Sequence, residues 1–261
     1  MENSENDPHT EADGACFSMV AGGGDRGVAR MVNSRRAWTY KMNHKKRGVA
    51  LIFSHKTFES SLKLDSRPTA DVDRQNLHRA LEQLNFKVKP FNDLSYNSIR
   101  KQIKAVATAD HTDNDCILIA ILTHGTNQCL YARDTTYKLD SIWQEFTSDK
   151  CPSLANKPKL FIIEAERGNR RDAGVQLRPS RSIETDSDSN SSYTLPINAD
   201  FLFAYSTMQD YVSYSDSVTG SWFIQSLCAE LETKGKSMDI LRIMTYVTQR
   251  VAIFETYDDQ Q

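Results

Sequence analysis

Four continuous apolar runs constrain this 261-residue chain more than any other feature: "VALIF" (49–53), "CILIAIL" (116–122), "LFII" (160–163) and "FLFAY" (201–205). Runs without polar alternation, bounded by polar or turn residues, suit strands buried on both faces. Between them apolar residues recur at helical spacing, Leu77, Leu81 and Leu84 in one stretch and Ile99, Ile103 and Val106 in the next. This alternation predicts an α/β fold: a mostly parallel central sheet, helices on both faces, right-handed crossovers, and functional loops at the C-terminal ends of the strands. Two further helices are predicted over "SWFIQSLCAEL" and "SMDILRIMTYVTQRVAIF", with Gly235 between them and Ser237 as the cap of the second.

Composition narrows the partners. With 32 basic and 34 acidic residues the net charge is -2, which gives no bulk attraction to nucleic acid or to anionic membranes. The longest apolar run is too short to span a bilayer, and the polar N-terminus lacks a secretory signal, so a cytoplasmic protein is expected. Five cysteines (Cys16, Cys116, Cys129, Cys151, Cys228) without CxxC spacing suit reduced thiols better than disulfides or a zinc site. No metal or other cofactor is implied. Residues 1–39 read as a disordered leader, and the polar stretch from 169 to 197 reads as a functional or cleavable insertion open to proteases.

Chemistry is concentrated at two strand ends. The second run exits into His124 and Gly125, and the third into Glu164, Ala165 and Glu166. Carboxylates there are commonly solvated or paired with arginine, and Arg167, Arg170 and Arg171 lie close by. One histidine and two carboxylates could also ligate iron or activate water, although no second shell or cofactor motif accompanies them. A G-x-S-x-G elbow is missing, and "AGGG" follows no strand and precedes no GK[ST], which removes the serine-hydrolase and phosphate-loop readings.

From about Met42 to Glu255 the sequence closely resembles an effector caspase, through "RGVALIFSH", "SRPTADVDRQNL", "DCILIAILTHG", "YKLDSIWQEFT", "CPSLANKPKLFII", "ADFLFAYST" and "GSWFIQSLCAEL". The resemblance implies a caspase-like three-layer sandwich with a six-stranded sheet. It also implies a precursor cut into a large part, here 40–186, and a small part, here 187–261, of one domain. Family members continue past the last helix through a substrate-contacting loop and a strand that pairs across the dimer two-fold. The resemblance therefore leaves that strand missing and a sheet edge exposed.

In the family a cysteine thiolate attacks the carbonyl after an aspartate, a histidine assists proton transfer, and backbone N–H groups hold the oxyanion. The local signature is Q-A-C-[RQG]-G. Here it reads Glu164-Ala165-Glu166-Arg167-Gly168. His124 and Gly125 match the family's His-Gly, whereas Glu166 stands in the position of the nucleophile. Arg67 matches the first arginine of the pocket for the substrate aspartate, followed by the departures Pro68, Thr69 and Ala70. Glu164 replaces the pocket glutamine, and Ser213-Tyr214-Ser215 falls where the family has Ser-Trp-Arg, so Ser215 replaces the second arginine. An Arg67–Glu164 ion pair is expected to fill the emptied pocket. "SIETDSDSN" resembles the intersubunit cleavage site, with Asp186 as the residue an upstream initiator caspase would cut after, and "TEAD" before Gly14 marks Asp13 as a possible leader-removal site.

The resemblance thus points to a catalytically inactive caspase homologue, a decoy that regulates apoptosis by heterodimerising with a paralogous active caspase, with no nucleic-acid or membrane partner. Two alternatives stand beside it: an Asp-directed cysteine-type endopeptidase with residual proteolysis, and a dominant-negative caspase substrate or inhibitor-binding decoy.

Overall fold

The computed structural model describes residues 38–126, 128–168, 197–208, 210–211, 213–216 and 218–254. In chain order the elements are β1 (Lys46–Ser54), α1 (Ala70–Gln83), β2 (Phe86–Asn92), α2 (Tyr96–Ala107), β3 (Asn114–Leu122), β4 (Leu130–Tyr131), β5 (Thr136–Tyr137), α3 (Asp140–Trp143), β6 (Lys159–Glu164), β7 (Phe201–Tyr205), β8 (Ser215–Asp216), β9 (Gly220–Ser221), α4 (Trp222–Lys234) and α5 (Ile240–Ala252). The main sheet has five strands in the order β2-β1-β3-β6-β7, every pair parallel. The sixth strand implied by the resemblance has no counterpart among the described residues. The small pairs β4-β5 and β8-β9 are antiparallel.

Helices cover both faces, as parallel strands buried on two sides require. Leu51, Phe53, Ile117, Ile119, Phe161 and Ile163 meet Ile99 and Ile103 of α2 and the 142–154 segment. On the opposite face Ala50, Ile52, Leu118, Ala120 and Ile162 meet Leu77 and Leu81 of α1, Leu227 of α4 and Val247 of α5. Each of the four apolar runs lies within a main-sheet strand, and β3 is buried along its whole length. No helix among the described residues is long and apolar enough to cross a membrane.

One local expectation is corrected, and one strand lies outside those predicted. Asp239, not Ser237, caps α5: its side chain accepts from the Arg242 N–H, whereas the Ser237 hydroxyl turns back to the Lys234 carbonyl. The strand β2, "FKVKPFN", carries no continuous apolar run because it lies at the sheet edge, where Lys87, Lys89 and Pro90 are exposed. Gly48, at a φ of 135°, lies so close to the Cys116 carbonyl that a side chain there would collide with β3.

Two lysines hold the start of β6 from inside. Lys157 Nζ donates to the carbonyls of His111, Thr112 and Asn114 at 2.8, 2.8 and 2.7 Å, which satisfies all three ammonium protons. Lys159 Nζ donates to Leu154 and Lys157 carbonyls and lies 3.7 Å from Asp200 at the entry to β7. A Lys157→Met replacement leaves three carbonyls without their shared donor, so a loss of about 2–4 kcal/mol is expected, read as a lowered denaturant midpoint. Lys46→Met, at an exposed position without an ion pair among the described residues, should move the midpoint by less than about 0.5 kcal/mol.

Candidate active site

The pairing of β3 with β6 builds the site. Leu122 lies opposite Glu164, and the Thr123 N–H donates to the Glu164 carbonyl at 2.9 Å, so the two strands end together. His124 then emerges beside Glu166, with its Nδ1 3.2 Å from Glu166 Oε2. Its other nitrogen, Nε2, lies 2.9 Å from the Asp65 carbonyl oxygen, and the Phe58 ring lies against the imidazole with centroids 5.1 Å apart. Only a ring carrying both protons donates to both acceptors. The hydrogen bond from His124 holds the Glu166 carboxyl below its usual range, against the opposing effect of its burial.

Backbone crowding fixes this arrangement. Gly125 pairs with Leu130 across a narrow hairpin, and a side chain at 125 would strike the Glu166 carbonyl. On the far side the Arg167 N–H donates to the Tyr211 carbonyl and the Arg167 carbonyl accepts from the Asp210 N–H, with Gly168 pressed against Asp210. The segment bearing Glu166 is therefore clamped from both directions.

Glu164 points inward. It is 2% exposed, Oε1 accepts from the Ser213 hydroxyl at 2.7 Å, and Oε2 has no hydrogen-bond partner. Burial pushes its carboxyl up from the ordinary 4.5 to about 7, opposed first by the nearby charge of Arg67 and then by the Ser213 hydrogen bond. The expected Arg67–Glu164 ion pair does not form at contact distance. Arg67 Nη1 instead donates to the His55 carbonyl at 3.2 Å, because the chain between β1 and α1 folds the guanidinium back along its own backbone. Its field still reaches Glu164, Glu166 and Asp73.

The remaining predicted residues separate. Ser213 joins Glu164, whereas Tyr214 stacks on Trp222 at 5.0 Å and Trp222 on Phe254 at 5.1 Å. Ser215 lies in β8, exposed and paired with Ser221. Asp13 and Asp186 lie outside the described residues. Asp73, absent from the sequence reading, is fully buried beside this group: Oδ1 accepts from the Ser221 N–H at 2.8 Å, and burial raises its pKa. A signal for it existed, because Ala70, Asp73, Leu77 and Ala80 step along one buried stripe of α1, and a carboxylate on such a stripe needs an internal partner.

Three of the four described thiols are poor nucleophiles by environment. Burial pushes Cys116 and Cys228 up to about 12 and raises Cys151, while Cys129 is half-buried on the hairpin that follows His124. Among the described residues no group of three or more His, Cys, Asp or Glu is placed to hold a metal ion.

A three-layer α/β domain with a histidine at the end of its central strand, facing the end of the neighbouring strand, defines a class shared by many hydrolases. The relatives are more specific. Residues 47–261 match the Caspase domain family model. Caspase drICE of Drosophila melanogaster is 51% identical over 228 residues, which covers 87% of this chain and 67% of that protein. Caspase-1 of Spodoptera frugiperda is 47% identical over 245 residues, covering 89% and 81% of the two chains. The crystal structure of that Caspase-1 superimposes with a TM-score of 0.81 at 46% identity, covering 90% of each chain. The chain belongs to the caspase family, a family of cysteine proteases.

Glu164 makes stability depend on pH in a defined sense. Its folded pKa lies above the unfolded value, so the folded state retains a proton that the unfolded state releases between about pH 4.5 and 7. Stability falls as pH rises through this window. Glu164→Gln removes the effect: the variant should gain up to about 3 kcal/mol over the parent above pH 7, shrinking toward nothing below pH 4.5. Denaturant midpoints of both proteins across this range measure it.

Proposed function

We propose that this chain is a catalytically inactive caspase homologue that regulates apoptosis by pairing with a paralogous active effector caspase and altering its turnover. One observation carries the reading: the group facing His124 at the end of β6 is the Glu166 carboxylate, where the family's motif has a thiolate. A carboxylate is a much weaker nucleophile toward an amide, and here it is engaged by the imidazole that would otherwise accept a proton.

The pocket supports the same reading independently. An aspartate side chain entering beside Arg67 meets Glu164, a buried carboxyl with an unpartnered oxygen, and finds Ser215 in place of a second arginine. One donor of Arg67 is already given to the His55 carbonyl. Burying a substrate carboxylate without adequate cations costs roughly 3–5 kcal/mol, a factor of about 10² to 10³ in affinity. Meanwhile the strands, both helical layers and the clamps on the Glu166 segment are retained, which is what a binding role for the fold requires. Cleavage after Asp186 by an upstream initiator caspase, leader removal at Asp13 and a cytoplasmic location belong to the same reading.

Purified protein with fluorogenic Asp peptides tests the chemistry. The parent should show no turnover above buffer, and Glu166→Cys alone should remain at least about 100-fold below an active effector caspase because the pocket is still mismatched. Adding Glu164→Gln and Ser215→Arg to Glu166→Cys should raise activity above the single variant. Turnover by the parent, or full activity of Glu166→Cys alone, contradicts the proposal. Co-expression with candidate active caspases, sizing of the product and comparison of its turnover with that of the partner alone tests the pairing. A partner that never co-elutes removes the heterodimer.

A further inference from the structure

The small net charge of the chain averages over an uneven surface. The β2–α2 unit, residues 86–109, carries Lys87, Lys89, Arg100, Lys101 and Lys104, all exposed, against a single carboxylate, Asp93. That carboxylate is turned inward, accepting from the Lys56 and Thr57 N–H groups and the Thr57 hydroxyl. Among the described residues none of the five cations makes an ion pair, and Arg100 only overlies the Tyr96 ring at 6.0 Å. The next acids along the chain are occupied: Asp110 by Thr112, Asp113 by Lys45, and Asp115 by His44 and Arg47.

Sheet register places these charges on one face. Lys87 lies opposite Val49 and Lys89 opposite Leu51, so both strand lysines emerge on the side of the sheet that α2 covers. Arg100 and Lys104 are one helical turn apart on α2, next to Lys101, and the helix has no acidic residue to balance them. At the lower end the face runs into a cleft of about 620 Å³ that Lys46 and Lys87 help to line. Guarding a sheet edge against aggregation accounts for Lys87, Lys89 and Pro90, but not for three unpaired cations on a neighbouring helix.

We propose that the β2–α2 face is a docking surface for an acidic, extended segment of a partner protein. Charge complementarity selects the class of occupant. A nucleic acid fits less well, since the five cations are not interleaved with exposed aromatic rings on which bases would stack. The surface lies at the β2 edge, whereas the His124–Glu166 pair sits between the central strands β3 and β6, so docking does not depend on the catalytic state of the chain.

The test is fluorescence anisotropy of a labelled Glu/Asp-rich dodecapeptide with the full chain. Saturable binding is expected that weakens about tenfold between roughly 50 and 200 mM salt, with a neutral peptide of equal length failing to bind. Lys87→Glu/Lys89→Glu and Lys101→Glu/Lys104→Glu should each weaken binding about tenfold, and Lys63→Glu, elsewhere on the surface, should not. If the strand variant is unfolded by its melting curve, Lys101→Gln/Lys104→Gln on the solvent side of α2 carries the same comparison. Absence of binding at low salt, affinity unchanged by the α2 variants, or equal affinity for a single-stranded oligonucleotide would each overturn the proposal.

Discussion

The parallel register between β3 and β6 is the constraint on which the site depends. Because Leu122 and Glu164 are partners, the two strands end at one level, and the next residues of each chain are delivered to the same place. His124 and Glu166 are 42 positions apart in sequence, yet the hydrogen bond from Thr123 to the Glu164 carbonyl leaves them no choice but to meet. Glu164 is the last residue of β6 and is buried there, whereas Glu166 follows after the chain has left the strand, so the two carboxylates do not share a face as i and i+2 of a continued strand would. One strand end therefore yields one carboxylate facing a histidine and another buried against Ser213. Their chemistry differs through environment alone: the hydrogen bond from His124 holds the first acidic, while burial carries the second toward neutrality.

Buried charge is handled in two opposite ways within a few residues of β6. At its start Lys157 gives all three ammonium protons to carbonyls, and Lys159 bonds two carbonyls with the Asp200 carboxylate 3.7 Å away. At its end Glu164 has one hydrogen bond, an unpartnered oxygen, and an arginine whose charge is felt but which makes no contact-distance ion pair with it and gives its Nη1 to the His55 carbonyl. Satisfied buried polar groups specify a fold, whereas half-satisfied ones tax it. The contrast separates a part of the molecule in which buried charge is met by packing from a part in which it is only half met.

Much of the architecture was legible because continuous apolar strands and helical apolar stripes arise from the same burial that the sheet imposes. The edge strand β2 escaped for the converse reason: exposure relaxes the demand for apolar residues, and Lys87, Lys89 and Pro90 do not spell a strand. His124, Gly125 and Glu166 could be placed together from strand ends and motif spacing. The Arg67–Glu164 contact could not, since opposite charges assigned to one pocket say nothing of backbone carbonyls that compete for the guanidinium. Asp73 was visible as a carboxylate on an apolar stripe, but its partner, the Ser221 N–H, lies 148 positions away and only the fold brings it near.

The clamps around Glu166 hold the segment through its backbone. Gly125 and Gly168 are held by contact with backbone rather than with the side chain at 166, so the identity of that side chain can change without moving the segment. The strands beneath are fixed by the three hydrogen bonds of Lys157 and by two cores, one on each face of the sheet. The side chains at 164 and 166 thus sit on a frame whose stability is supplied largely elsewhere. The proposed surface functions, toward another caspase and along the basic β2–α2 face, therefore do not call on the side chains at 164 and 166.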